Sequence, residues 1–134
     1  MLDGRLYVLD STSTLLRLLT DGAPDSARFD RVMGSFVREL VNESPGGLRI
    51  FGDMVDVLAD RGDLQHVCML EACWNRLAQS VRFSLFCGYS SMNLAGPGTL
   101  NMRRAVCHLH TRMATDARDP LGTFLVQNAH GIAR

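Results

Sequence analysis

The chain has 134 residues, 46% hydrophobic and 21% charged, which is typical of one globular domain and argues against a disordered chain. Fourteen basic residues balance fourteen acidic ones, so the net charge of +0 gives no electrostatic footprint for nucleic acid or an anionic membrane. No apolar run approaches the about 20 residues that span a bilayer, and the N-terminus lacks the shape of a signal peptide. We therefore expect a cytoplasmic protein that binds neither membranes nor nucleic acid directly.

The first third of the chain predicts one strand followed by two helices. Residues 5–9 form a short β-type run, and Ser11 and Ser13 are candidate N-caps for the first helix. Pro24 stands where a second helix can begin, because its missing N–H costs nothing there. From 29 to 41, apolar residues follow the 3-4-3-4 spacing of an amphipathic helix.

The middle of the chain predicts two more strands with helices between them. Residues 48–51 and 83–87 are apolar runs, and the second is continuous, as expected when helices cover both faces of a sheet. A short helix over 54–60 and a longer helix capped by Asp63 lie between the two strands.

After the third predicted strand, residues 88–98 predict a loop and residues 99–113 a last amphipathic helix. Residues 116–134 have a weak pattern, so we assign residues 1–115 to the domain and 116–134 to a C-terminal tail. Strands alternating with helices predict an α/β fold in which helices flank a short, mostly parallel sheet.

The four cysteines lie in predicted helices and a strand, and we expect free thiols.

The carboxyl ends of the predicted strands are where such sheets usually bind ligands. Asp53 follows the strand at 48–51 and either faces a ligand or caps the helix at 54–60. Tyr89 follows the strand at 83–87 and lies over the same predicted crevice.

The long helix supplies the remaining candidate ligand-binding residues. Glu71 lies at the edge of the apolar stripe defined by Val67, Trp74 and Ala78. It either pairs with Arg49 or Arg82 or lines a pocket with Asn75. Trp74 lies on the stripe itself, which favours a core aromatic over a ligand contact.

A weak metal-ligand pattern occupies the last helix and the strand before it. Cys107 and His110 stand three residues apart on one helix, and Cys87 would add a third ligand if that helix packs over the strand. A structural zinc site takes four ligands, and no second ligand pair is present, so we expect neither a metal nor a cofactor.

Several catalytic motifs are missing from the sequence. The chain has no lysine, so it has no phosphate-loop lysine, and the G-x-G-x-x-G, G-x-S-x-G and H-E-x-x-H patterns do not occur. We therefore expect a protein that is not an enzyme.

Six blocks, in order, resemble the MEDS domain, the sensory domain named for methanogens, methylotrophs and the dichloromethane-dehalogenase regulator. They are residues 4–10 (GRLYVLD), 21–25 (DGAPD) with Phe29, 49–55 (RIFGDMV), 70–75 (LEACWN), 83–89 (FSLFCGY) and 106–110 (VCHLH). The family pattern has further strand–helix units before Gly4 and more usually carries Glu where Asp53 stands. The chain therefore resembles the C-terminal portion of the domain.

The resemblance implies a non-catalytic sensory domain with a partial RecA/KaiC-like three-layer sandwich and no phosphate loop. It also implies a small apolar ligand and a signalling partner such as a histidine kinase, PAS or transcription-regulator module in a bacterial pathway. The alternative is an interaction module without a ligand, which forms a homodimer through a sheet edge left exposed by the missing strands.

Overall fold

Short helices dominate the structure, a computed structural model that describes residues 5–96 and 98–113. The elements in chain order are α1 (Ser11–Leu18), β1 (Leu19–Thr20), β2 (Ala23–Pro24), α2 (Ser26–Phe29), a π-helical turn (Asp30–Gly34), α3 (Ser35–Glu43), β3 (Arg49–Gly52), α4 (Met54–Ala59), α5 (Leu64–Ser80), β4 (Ser84–Cys87), α6 (Ser91–Ala95) and α7 (Leu100–Leu109). The predicted tail at 116–134 lies outside the described residues. The chain thus has a mixed helix-and-strand fold, which is compatible with the predicted α/β class.

Aspartates begin the first helices. The Asp10 carboxylate accepts a hydrogen bond from the Ser13 N–H at 2.7 Å, so Asp10 is the N-cap of α1 and the prediction of a serine cap is wrong. Asp25 caps α2 in the same way. Pro24 does not begin this helix, because it pairs with Leu19 in the antiparallel β1–β2 hairpin.

The predicted amphipathic helix is present as α2, the π-helical turn and α3 in direct succession, which we call the α2–α3 helix. Its buried side includes Phe29, Met33, Val37 and Leu40, as the spacing predicts. The wider π-helical turn interrupts the α-helical hydrogen-bond pattern in a way that apolar spacing does not reveal.

The strands β3 and β4 pair in parallel, with Ile50 opposite Leu85 and Gly52 opposite Cys87. These two predicted strands are confirmed, and the connection between them contains α4 and α5, the latter capped by Asp63 as predicted. Within residues 5–96 and 98–113, helices cover one face of the sheet. On the other face the Phe51 and Phe86 rings stack at 5.8 Å and remain 68% and 56% exposed. The expectation of a sheet covered on both faces is therefore wrong.

Residues 5–9 do not form the predicted strand. They run extended and exposed along the α2–α3 helix, where the Tyr7 ring packs edge-on against Phe36 and Arg5 lies 3.3 Å from the Glu43 carboxylate. Among the described strands β3 pairs with β4 alone, so a two-stranded parallel sheet takes the place of the predicted three strands.

The helix α5 is the centre of the core. Its buried residues Val67, Leu70, Trp74 and Leu77 confirm the predicted stripe, whereas Ala78 at the end of that stripe is exposed. The apolar side chains of α1, α4, α7 and the α2–α3 helix join α5 in one hydrophobic cluster. No helix among the described residues combines the length and apolar character that crossing a membrane would need.

Candidate functional site

An open, apolar cavity of about 490 Å³ lies between residues 5–9, the α2–α3 helix and β3. Small-molecule sites commonly measure about 300–1,000 Å³ and have mostly apolar walls with a few polar groups. The apolar wall comprises Leu6, Tyr7, Val8, Leu9, Met33, Phe36, Val37, Leu40, Leu48, Ile50, Phe51, Met54 and Trp74. Polar groups come from Arg5, Ser11, Thr14, Arg49 and Asp53.

The polar end of the cavity is built around Asp53, which directly follows β3. Its carboxylate accepts a short hydrogen bond from the Ser11 hydroxyl, which ties the end of β3 to the beginning of α1. The Asp53 side chain makes no capping bond to α4, although its backbone carbonyl accepts from the Asp56 N–H at 3.0 Å. Asp53 therefore occupies the N-cap position of α4 as the capping alternative predicts, but its carboxylate bonds Ser11 instead of the helix, and the residue also lines the cavity.

Trp74 belongs both to the core and to the cavity wall. Only 2% of its surface is exposed, and its ring contacts Phe29 edge-on at 5.0 Å and Phe83 at 6.1 Å. The core assignment from the sequence is confirmed, and Trp74 also lines the cavity.

Glu71 does not reach this cavity; it occupies a separate buried polar cluster where β4 ends. Its side chain is 1% exposed. The Tyr89 hydroxyl donates to one carboxylate oxygen at 2.5 Å, and the Cys87 thiol lies 3.7 Å from the other. The His110 Nε2 lies 3.3 Å from the oxygen that Tyr89 contacts. The predicted pairing of Glu71 with Arg49 or Arg82 is therefore wrong.

The cluster perturbs the acid–base behaviour of the groups around the carboxylate. Burial, followed by the Glu71 charge, raises the pKa of Cys87 to about 12 and also raises the pKa of Tyr89. The hydrogen bond to Glu71 raises the pKa of His110, although burial opposes this change. Tyr89 and Cys87 therefore carry their protons at neutral pH.

The orientation of His110 is fixed from both sides of its ring. Its Nδ1 lies 2.7 Å from the Val106 carbonyl oxygen, which can only accept a hydrogen bond, so Nδ1 carries a proton. The other nitrogen, Nε2, faces the Glu71 carboxylate, a second acceptor. The contact between Nε2 and Glu71 therefore needs either a proton shared between the two groups or a bound cation.

The structure divides the residues predicted from the sequence into three groups. Asp53 and Trp74 line the cavity, whereas Glu71 and Tyr89 join Cys87 and His110 in the buried cluster. Asn75 is exposed, and its amide donates to the Leu109 carbonyl at 3.0 Å, next to the end of α7. Cys107 is a half-buried free thiol, and free thiols are confirmed for the four cysteines, all of which are described.

Sequence reasoning missed the cavity wall contributed by residues 5–9 and the α2–α3 helix. The one sequence signal for this wall is the apolar run at 5–9, which the sequence does not assign to a particular neighbouring strand. Sequence reasoning also missed that Glu71 completes a group with Cys87 and His110. These residues come together through the packing of α5 against α7 and through the contact of Glu71 with Cys87 at the end of β4.

Comparisons of the chain with protein-family models, with curated proteins and with solved structures find no match.

Proposed function

We propose that the chain is a non-catalytic sensory module that binds a small, largely apolar molecule in the cavity beside β3. The observation that carries this proposal is the size and composition of the cavity, about 490 Å³ with mostly apolar walls. Its polar end, at Asp53 and Ser11, suits a ligand that carries one hydrogen-bonding group on an apolar body.

The arrangement of the walls suggests how binding would be transmitted. Residues 5–9 are exposed and are held to the α2–α3 helix through the Tyr7–Phe36 and Arg5–Glu43 contacts. A ligand that touches this segment, the helix and β3 together would favour one arrangement of the three. In this proposal the ordered segment is what a histidine kinase, PAS or transcription-regulator module recognises.

The resemblance to the MEDS domain supports the same function from the sequence. The parallel pair β3–β4, connected through α4 and α5, is compatible with the C-terminal portion of a RecA/KaiC-like sandwich of that kind. We propose this finer fold assignment together with the sensory function.

The test is a thermal-shift and calorimetric screen of the full chain against short-chain alcohols and single-ring aromatic compounds. A compound that binds only the folded protein raises the midpoint of unfolding as its concentration rises. We expect at least one probe to bind and Leu40→Trp, which fills the cavity from α3, to abolish its binding.

Leu16→Trp is the matched control, because Leu16 is 58% exposed on α1 and does not line the cavity. Both variants must retain the circular dichroism spectrum of the wild type. Binding that survives Leu40→Trp, or is lost equally in Leu16→Trp, would contradict the proposed site, and a screen without any binding would contradict the sensory function.

A second candidate function is self-association through the sheet, and the uncovered face favours it. The stacked Phe51 and Phe86 rings form an exposed apolar patch, and two-stranded parallel sheets are ordinarily covered on both faces. A second copy of the chain would bury this patch, and the outer edges of β3 and β4 offer backbone groups for pairing.

A further inference from the structure

We propose that Glu71, Cys87 and His110 form a binding site for one divalent transition-metal ion, and that zinc fits these donors best. The three ligand atoms all lie within 4.8 Å of one another in the buried cluster. Carboxylate oxygen, thiolate sulfur and imidazole nitrogen are the donor types that zinc takes in proteins. The site is separate from the apolar cavity, so it does not depend on the sensory proposal.

The donor atoms lie close enough together to surround one zinc ion after a small adjustment of the side chains. Zinc bond lengths place nitrogen and oxygen ligands about 3.4 Å apart, and sulfur and oxygen ligands about 3.6 Å apart. The corresponding separations are 3.3 Å from His110 Nε2 to one Glu71 oxygen, and 3.7 Å from Cys87 Sγ to the other oxygen. The ligand atoms of the three residues lie within 4.8 Å of one another, so the side chains must draw closer, and the carboxylate must turn, for one ion to bind all three.

The tautomer of His110 is the one that a metal ligand needs. Because Nδ1–H donates to the Val106 carbonyl, Nε2 is the ring nitrogen that can bind a metal once its proton has left, and it lies 3.3 Å from the Glu71 carboxylate. Metal-ligating histidines typically donate their other ring N–H to a carbonyl or carboxylate in this way. A metal ion bound to Nε2 would take the place of the proton between His110 and the Glu71 carboxylate.

The carboxylate is oriented in a similar way. Tyr89 donates to Glu71 at 2.5 Å and thereby fixes the plane in which the two oxygens lie. Removal of an outer-shell partner of this kind typically lowers metal affinity about 10- to 100-fold. Three protein ligands leave the fourth tetrahedral position to water or another small ligand.

Metal binding would proceed with loss of the Cys87 proton, because the thiolate is the ligand, and with loss to solvent of the proton between His110 Nε2 and Glu71. The sulfur–metal bond forms as the S–H bond breaks, and the proton leaves to solvent. The ion would then join α5, the end of β4 and the residue that follows α7, three elements brought together around Glu71.

The test uses the reduced full chain, stripped of metal with a chelator. Cobalt(II) is the spectroscopic probe, and zinc affinity is measured in competition with a chromophoric chelator. We expect one equivalent of cobalt, with a sulfur-to-cobalt charge-transfer band and the intense visible bands of tetrahedral cobalt. Cys87→Ser should remove the charge-transfer band. Cys87→Ser and His110→Gln should each weaken zinc binding at least about 100-fold, which is more than the loss of an outer-shell partner typically costs.

Cys107→Ser and His108→Gln are matched controls, because both residues lie on α7 and neither belongs to the group. Both should keep the cobalt spectrum and the zinc affinity of the wild type. The proposal is overturned if the wild type binds no equivalent of metal, if Cys87→Ser retains the charge-transfer band, or if the controls lose binding to the same degree.

A measurement on the wild type keeps the proposal testable even if Cys87→Ser fails to fold. The rate of alkylation of each cysteine is followed by mass spectrometry with and without zinc. We expect zinc to protect Cys87 and to leave the rate at Cys107 unchanged. Equal rates at Cys87 with and without zinc would overturn the proposal.

Discussion

At the scale of single residues, the buried carboxylate of Glu71 determines the state of the groups around it. The sequence places Glu71 beside an apolar stripe, which correctly indicates a carboxylate in need of partners. It does not identify them, because Tyr89 and His110 reach Glu71 only through the packing of separate elements. Candidate residues were thus predictable one at a time, whereas their grouping was not.

The hydrogen bond from Tyr89 should contribute measurably to stability. Tyr89→Phe removes one of the two hydrogen-bonding partners of a buried Glu71 oxygen, the other being His110 Nε2, which costs about 1–3 kcal/mol. The measurement is urea unfolding of wild type and variant in the presence of a metal chelator. Tyr7→Phe is the control, because Tyr7 is 49% exposed, and an equal loss in both variants would contradict the assignment.

At the scale of elements, helix bounds were largely predictable because caps and apolar spacing are local. Asp63 caps α5 as expected, and the amphipathic spacing marks the buried side of the α2–α3 helix. The strand predicted at 5–9 failed because a strand needs a neighbour with which to pair, and nothing local provides one. These residues have β-type composition, yet a cavity lies between them and β3.

The cap of α1 should make stability depend on pH. Hydrogen bonds from Ser13 lower the pKa of Asp10 below its usual 3.8, so its contribution is present above that value and is lost as the pH falls through the lowered pKa. Asp10→Ala should therefore reduce the unfolding midpoint at neutral pH, and the difference from wild type should shrink in acid.

Asp10→Asn is the control for this effect, because asparagine also caps helices but does not titrate. Its difference from Asp10→Ala should persist in acid. A difference between wild type and Asp10→Ala that stays constant through the acid range would contradict the role of the Asp10 charge.

At the scale of the whole molecule, one apolar cluster centred on α5 joins the helices, and the sheet lies at its side. Composition and periodicity indicated a single core and strands alternating with helices. Composition and periodicity could not indicate that, among the described residues, one face of the sheet stays uncovered. The same apolar run at 83–87 is compatible with a strand whose second face contacts a helix and with one whose second face contacts solvent.

The uncovered face gives a prediction about assembly. If a second copy covers the Phe51–Phe86 patch, the wild type should sediment as a dimer that dissociates on dilution, and Phe86→Ser should be monomeric at every concentration. Leu100→Ser, at a 46% exposed position on α7, is the control and should dimerise normally. A wild type that is monomeric throughout would exclude this use of the face.

Trp74 gives the molecule an optical property of its own. It is the one tryptophan in the sequence, it lines the cavity, and its ring contacts Phe29 in the core. An occupant of the cavity would change the polarity around this indole and hence the wavelength and yield of its emission. The unlabelled protein is therefore equipped to report through its own fluorescence whether the cavity is filled.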